Sequence, residues 1–225
     1  MKKSKRICLV LVMLSCAMLL CSCGVHKLTV NDNDTYTDRK TGVTYRPLSA
    51  CYEPASLGEE YASFKVKKVT TKLHVIGELP AENYLGSVYY GVYVNENLQI
   101  PAFSEMEVNR ALVYSTGGST IPSLTLEADD ENETALLSAL ADAYLNGARV
   151  SYPSYQTSEA SYTVRFAASN LPGLYYCMTY IEYAEDIYDE IDGVETNLGR
   201  YFLYDRYNKI CVAIGVSLHN AMRVE

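Results

Sequence analysis

The chain has no tryptophan, four phenylalanines and three histidines among its 225 residues. Aromatic bulk therefore falls to its 21 tyrosines, and each tyrosine that is buried brings a hydroxyl in need of a partner. Basic residues are also scarce: 19 Lys and Arg stand against 27 Asp and Glu, a formal charge of −8. That balance argues against nucleic acid as a partner, because phosphate binding draws its affinity from clustered cations. The main apolar run, Ile7 to Leu20, falls short of the about 20 residues a bilayer-spanning helix needs. Catalytic signatures are missing too. There is no His-Glu-x-x-His helix, Gly-x-Ser-x-Gly elbow, phosphate loop or dinucleotide fingerprint, so no cofactor and no metal is implied. Thr116-Gly117-Gly118-Ser119-Thr120 is glycine-rich but lacks the Lys and helix of a phosphate site, and reads as a loop.

What is present begins at the N-terminus. Lys2, Lys3, Lys5 and Arg6 form a positive start, the apolar run follows, and Leu20-Cys21-Ser22-Cys23-Gly24 closes it. This segment resembles the signal peptide and lipobox of bacterial lipoproteins, with Leu three positions before the modified cysteine and Gly after it. Cys21 departs mildly from the usual Ala or Ser. It is a poor acceptor itself, since Leu20 would then fill a small-residue position. The resemblance covers residues 1–24 alone. It implies cleavage after residue 22, acylation of Cys23 and an extracytoplasmic, lipid-anchored address at the cell membrane, where two acyl chains anchor stably.

Cleavage would remove four bases and no acids, leaving 203 residues with 15 Lys and Arg against 27 Asp and Glu, and shifting −8 to −12. Such a length suits one domain, expected over 35–225. Gly24 to Asp34, ending in Asn31-Asp32-Asn33-Asp34, lacks apolar periodicity and reads with Cys23 as a tether (23–34), at most about 40 Å when extended. The dense lysine group, Lys65, Lys67, Lys68 and Lys72, reads as the solvated face of a strand whose other face holds Phe64, Val66, Leu73 and Val75.

With Cys23 acylated, Cys51, Cys177 and Cys211 remain, an odd number that cannot all pair within the chain. Cys177 and Cys211 fall on strands separated by a third, about 9.6 Å apart, beyond the about 7 Å a disulfide spans. Burial as small hydrophobes suits both better.

The predicted fold is α+β: a twisted, mainly antiparallel sheet with one principal helix packed on it and a C-terminal β-meander. Asp38-Arg39-Lys40-Thr41-Gly42 reads as a hairpin turn between Thr35–Thr37 and Val43–Tyr45. Strand-like runs follow at 64–76, 87–94, 111–116 and 123–127. An acidic start, apolar residues at helical spacing (Leu136, Leu140, Ala143, Tyr144) and a closing Asn146-Gly147 predict the helix at about 131–146. The meander runs through Tyr162–Phe166, Leu174–Tyr183, Arg200–Tyr204 and Lys209–Val216, the second apolar on both faces and so central. Asp205-Arg206 opens a turn that shares its chemistry with Asp38-Arg39.

Two chemical possibilities fail on pattern. A Cys177 or Cys211 nucleophile with His219 needs a partly exposed thiolate beside a base, which a central strand does not offer. The acids between Glu182 and Glu195 miss the calcium-loop template, since Gly193 at position six puts Tyr188 at one and Gly199 at twelve. They read as a solvated loop over 184–198. Tyrosine is left as the functional resource: pairs such as Tyr89-Tyr90 and Tyr175-Tyr176 put one ring on each face of a sheet. An exposed tyrosine patch suits a protein or glycan; the equal alternative is that tyrosine replaces Phe and Trp in a small core with wet edges. The sequence thus predicts a membrane-anchored lipoprotein that acts as a binding or interaction module of the cell envelope, with an envelope hydrolase of dispersed active site as the alternative.

Overall fold

Valine, threonine and tyrosine alternate with polar residues along much of the chain, and these β-formers build two sheets accompanied by one principal helix and a short second one. The computed structural model describes residues 24–89, 91–115, 121–154, 156–191 and 193–222. Cys23, the expected signal peptide at 1–22, Tyr90 and the glycine-rich stretch 116–120 lie outside the described residues. Among the described residues no helix is long and apolar enough to cross a membrane.

The first sheet is a closed barrel of seven strands. They are β1 (His26–Val30), β2 (Tyr36–Asp38), β3 (Thr44–Pro47), β5 (Leu57–Val66), β6 (Val69–Ile76), β7 (Tyr84–Ser87) and β8 (Gly91–Asn95), in the order β1-β2-β3-β8-β7-β6-β5. Strands that alternate in direction cannot close an odd ring without one parallel seam. That seam is β1 against β5, with His26 opposite Ala62 and Lys27 opposite Ser63. Leu28, Tyr45, Ala62, Phe64, Leu73, Leu85 and Tyr93, contributed by six strands, pack as the barrel's own core.

The remaining strand of this half, β4 (Tyr52–Pro54), leaves the barrel and pairs with β13 (Leu171–Ile191) of the second sheet. That sheet is antiparallel and has eight strands with β4 counted. Its main path is β10 (Leu124–Glu127), β9 (Val108–Ser115), β12 (Ser158–Ala168), β13 (Leu171–Ile191), β14 (Val194–Asp205), β15 (Ile210–Ala213) and β11 (Arg149–Val150). Helix α1 (Glu131–Asn146) buries Leu137, Leu140 and Tyr144, and α2 (Val216–Ala221) follows β15. Asp130 caps α1, its carboxylate accepting from the amides of Asn132 and Glu133. One hydrophobic cluster joins α1, the inner face of the sheet (Val164, Phe166, Tyr176, Met178, Tyr180, Leu203) and Ile76, Val92 and Val94 of the barrel. β13 is central, as its pattern predicts. Ile181 and Tyr183 on its outer face join Phe202 and Cys211 in a separate cluster.

Five expectations are corrected. The run 87–94 is not one strand: β7 ends at Ser87 and β8 begins at Gly91, with Val88 and Tyr89 exposed in the turn between them. A single sheet is replaced by a barrel plus a sheet, because β4 carries the chain between two separate ladders. The tether at 24–34 contains β1: Leu28 is buried in the barrel and His26 and Lys27 close its seam, so only Gly24 and Val25 separate Cys23 from the fold. The run 64–76 is two strands joined at Lys67-Lys68, where Lys67 takes φ 53° without the usual glycine signal. Val66 and Val69 are consequently exposed at a hairpin tip. Finally, 184–198 is no loop. It extends β13 and β14 as a two-stranded arm with Ile187 opposite Gly199 and Tyr188 opposite Asn197, anchored by Ile187, which is buried in the outer cluster.

The two Asp-Arg turns match in detail. The Lys40 amide donates to Asp38 Oδ1 at 2.9 Å, and the Tyr207 amide to Asp205 Oδ1 at 3.0 Å. Four residues after each aspartate the backbone enters the left-handed region, at Gly42 (φ 78°) and Lys209 (φ 55°). Both aspartates are fully buried, and each aims Oδ2 inward: at His26 and Thr41 in the barrel, at Tyr144, Tyr176 and Asn208 beneath the sheet.

Candidate functional site

Residues of β12, β13 and β14 converge with α2 on one cavity of about 250 Å³. β12 supplies Glu159, Tyr162 and Val164, β13 supplies Tyr180 and Glu182, and β14 supplies Arg200 and Tyr201; Val113, His219 and Met222 complete the wall. Register explains the grouping. Tyr162 lies directly opposite Tyr180, and Glu182 opposite Tyr201, so cross-strand pairing alone places three phenols and a carboxylate side by side. α2 then brings His219 over them, its ring stacked on Tyr201 with centroids 3.7 Å apart and planes 9° apart.

The rings form a row: Tyr162 to Tyr180 at 5.8 Å, Tyr180 to His219 at 6.3 Å, then His219 on Tyr201. The Tyr180 hydroxyl lies 2.6 Å from His219 Nδ1. Glu182 Oε1 approaches the same nitrogen at 3.6 Å. Burial pushes the Tyr180 phenol up, and the Glu182 charge adds to it; the same two causes in the same order raise Tyr162. At the far end of the wall Arg200 Nη2 pairs with Glu159 Oε2 at 3.2 Å, and its guanidinium carbon lies 5.5 Å from the centre of the Tyr201 ring. Arg200 Nε is buried without a hydrogen-bond partner.

This arrangement can bind, and at His219 Nδ1 it departs from the geometry of a nucleophile relay. A relay needs the nucleophile on one imidazole nitrogen and the orienting carboxylate on the other. Here Tyr180 and Glu182 both address Nδ1, and a phenol whose pKa is raised is harder, not easier, to deprotonate.

The sequence-derived candidates disperse. Cys211 sits in the outer cluster and Cys177 on the outer face of β13 beside Arg165 and Glu53, whereas His219 is on the inner side. Burial pushes the Cys211 thiol up to about 12 and raises those of Cys177 and Cys51, and all three cysteines are free. β14 separates β13 from β15, as the spacing argument required. His26 binds Asp38, and His74 Nδ1 meets the Gly58 carbonyl at 3.0 Å. Among the described residues no group of three or more His, Cys, Asp or Glu is placed to hold a metal. Among the described residues the most exposed tyrosines are Tyr89, Tyr152, Tyr188 and Tyr207, with Tyr152 stacked on Tyr204 at 4.2 Å, whereas the cavity holds an internal row. One signal in the sequence pointed there. Met178, Tyr180 and Glu182 share one face of an apolar strand, and an acid at a core-facing position asks for a reason.

No protein family, no curated protein and no solved structure matches the chain.

Proposed function

We propose that the chain is a binding module of the cell envelope, held at the extracytoplasmic face of the membrane by acylation of Cys23, and that the cavity between β12–β14 and α2 seats a small ligand or one unit of an envelope glycan. The observation that carries this reading is the row of four rings along one cavity wall with carboxylates and a guanidinium at its edges. Rings offer flat apolar area at low entropic cost, while planar polar side chains satisfy hydroxyl and amide groups. With β1 beginning at His26, the module sits against the bilayer and not on a long tether. The hydrolase alternative is disfavoured by the shared use of His219 Nδ1.

Absence of tryptophan makes tyrosine emission a clean reporter. Titration with soluble envelope-glycan fragments is expected to give a saturable change in the wild type that weakens about tenfold, or about 1.4 kcal/mol, in Tyr162→Ser. Equal binding by the variant, or no saturable change with any fragment, would sink the assignment of the seat. The anchor is tested separately: Cys23→Ala should abolish acyl incorporation and membrane retention, and unchanged lipid labelling overturns it.

A further inference from the structure

The charge of the cavity wall is one-sided. Its two carboxylates have different company: Glu159 is neutralised by Arg200 at 3.2 Å, whereas the basic group within 4 Å of Glu182, among the described residues, is the imidazole of His219. Glu182 is only 19% exposed. It faces phenols on two strands, Tyr162 and Tyr180, whose ionisation it opposes. The carboxylate is hydrogen-bonded by the Tyr180 phenol; taken largely out of water, it makes a local field that favours a cation, to which the face of a nearby ring can add. The same wall already shows this use of a ring: the Arg200 guanidinium lies over Tyr201 at 5.5 Å. Tyr162 and Tyr180 are the two phenols over which no described cation lies.

We propose that the cavity is selective for an alkylammonium group, seated against Tyr162 and Tyr180 with its charge opposite Glu182. This deepens the binding reading above and rests on it. Size points the same way, since about 250 Å³ lies below the about 300–1,000 Å³ of pockets that take whole drug-sized ligands, and suits a compact headgroup. Val113, Val164 and Met222 supply apolar wall for the methyl or methylene shell of such a group. A bare metal ion would find too few oxygens here, because hard cations take six or more.

The test uses the full-length chain in neutral detergent, titrated with choline and with its uncharged analogue in which carbon replaces nitrogen, followed by tyrosine emission. Choline is expected to bind at least about tenfold more tightly than the analogue, the low end of a partly desolvated cation–ring contact with a carboxylate added. Glu182→Gln should bring the affinity for choline down to that for the analogue. Tyr162→Leu, which keeps bulk but loses the ring quadrupole, should reduce the preference as well and serves if the glutamine variant does not fold. Equal affinity for the two probes, or a preference that survives both substitutions, overturns the proposal. If neither probe binds but a neutral saccharide does, the ammonium assignment falls and the ligand seat stands. If nothing perturbs the cavity tyrosines, both fall together.

Discussion

Asp205 is the side chain whose loss the fold should feel most. It is fully buried and accepts five hydrogen bonds: from the hydroxyls of Tyr144 (2.8 Å) and Tyr176 (2.5 Å), the Asn208 side chain (2.7 Å), and the amides of Tyr207 and Asn208 (3.0 Å each). Tyr144 comes from α1, Tyr176 from β13 and Asp205 itself from the β14–β15 turn, so this carboxylate ties helix, central strand and turn together. Hydrogen bonds to a charged group contribute about 1.5–3 kcal/mol each, and every buried donor left without a partner costs about 1–3 kcal/mol. Asn208 keeps the Tyr176 hydroxyl as an alternative partner at 2.9 Å, and such contributions are not additive. Asp205→Ala should therefore lose about 4–6 kcal/mol, a large part of the about 5–15 kcal/mol that holds a domain folded. Asp205→Asn retains one acceptor oxygen for the two amides but turns an amide donor toward two hydroxyls, and should lose about 2–4 kcal/mol.

Urea unfolding measures both, and acid adds a second axis. Burial pushes the Asp205 carboxyl up, but the hydrogen bonds from Asn208, Tyr176 and Tyr144 outweigh it, and the net position is below the ordinary carboxylate value. The folded state then holds its proton less tightly than the unfolded state does. This part of the stability is complete above the unfolded value, about 3.9, and disappears as pH falls through the lower folded value. The gap between wild type and Asp205→Asn should shrink over that window. A variant within about 1 kcal/mol of wild type at neutral pH, or a gap that widens on acidification, would refute the reasoning.

The barrel turn makes the same claim at the other sheet. Burial raises the Asp38 carboxyl, but hydrogen bonds led by His26 bring it below its ordinary value, so Asp38→Asn should speed amide exchange in β1 and lose its effect in acid; unchanged exchange at Leu28 counts against the clamp. At Gly173, φ is +78° and an added Cβ would lie 2.9 Å from Leu79 Cδ1. Gly173→Ala should therefore cost more than Gly42→Ala, which shares the φ but meets nothing within 4 Å and carries only the about 1–2 kcal/mol of a left-handed Cβ; equal melting shifts would show that Leu79 yields freely. Thiol titration of the native chain at pH 8 should leave Cys211 and Cys177 unlabelled until urea unfolds it, because burial raises both thiols. Rapid native labelling of either would remove it from the interior.

Local chemistry was legible wherever neighbours in sequence are neighbours in space. The α1 cap, its apolar stripe and the two Asp-Arg turns depend on residues within about one turn of each other, and all were readable. So was the central place of β13, because apolar residues on both faces of one strand can only mean cover on both sides. Chain direction at Lys67-Lys68 was not readable. A two-residue turn without Gly or Asn leaves the alternation of Phe64, Val66, Leu73 and Val75 looking like one strand, and only the pairing of Val66 with Val69 reveals the reversal. The acidic arm was hidden for a related reason: apart from Ile187, a two-stranded ribbon that projects into water has the charged composition of a loop.

The candidate site shows the harder limit. Glu159, Tyr162, Tyr180, Glu182, Arg200, Tyr201 and His219 span sixty positions of chain, and what unites them is the register of three strands plus a final short helix. No fixed spacing along the sequence encodes that. Shifting β14 by one residue against β13 would turn Tyr201 to the outer face and put Phe202 in its place, taking the Tyr201 hydroxyl out of the wall and Glu182 off its cross-strand partner. The site is thus as specific as the register. That register is pinned by the outer cluster, where Ile181 and Phe202 are directly opposed, and by Asp205 at the end of β14. The buried aspartate and the tyrosine row are consequently coupled. Loss of the Asp205 hydrogen bonds loosens the strand that carries Arg200 and Tyr201, and ligand affinity should fall before the chain unfolds.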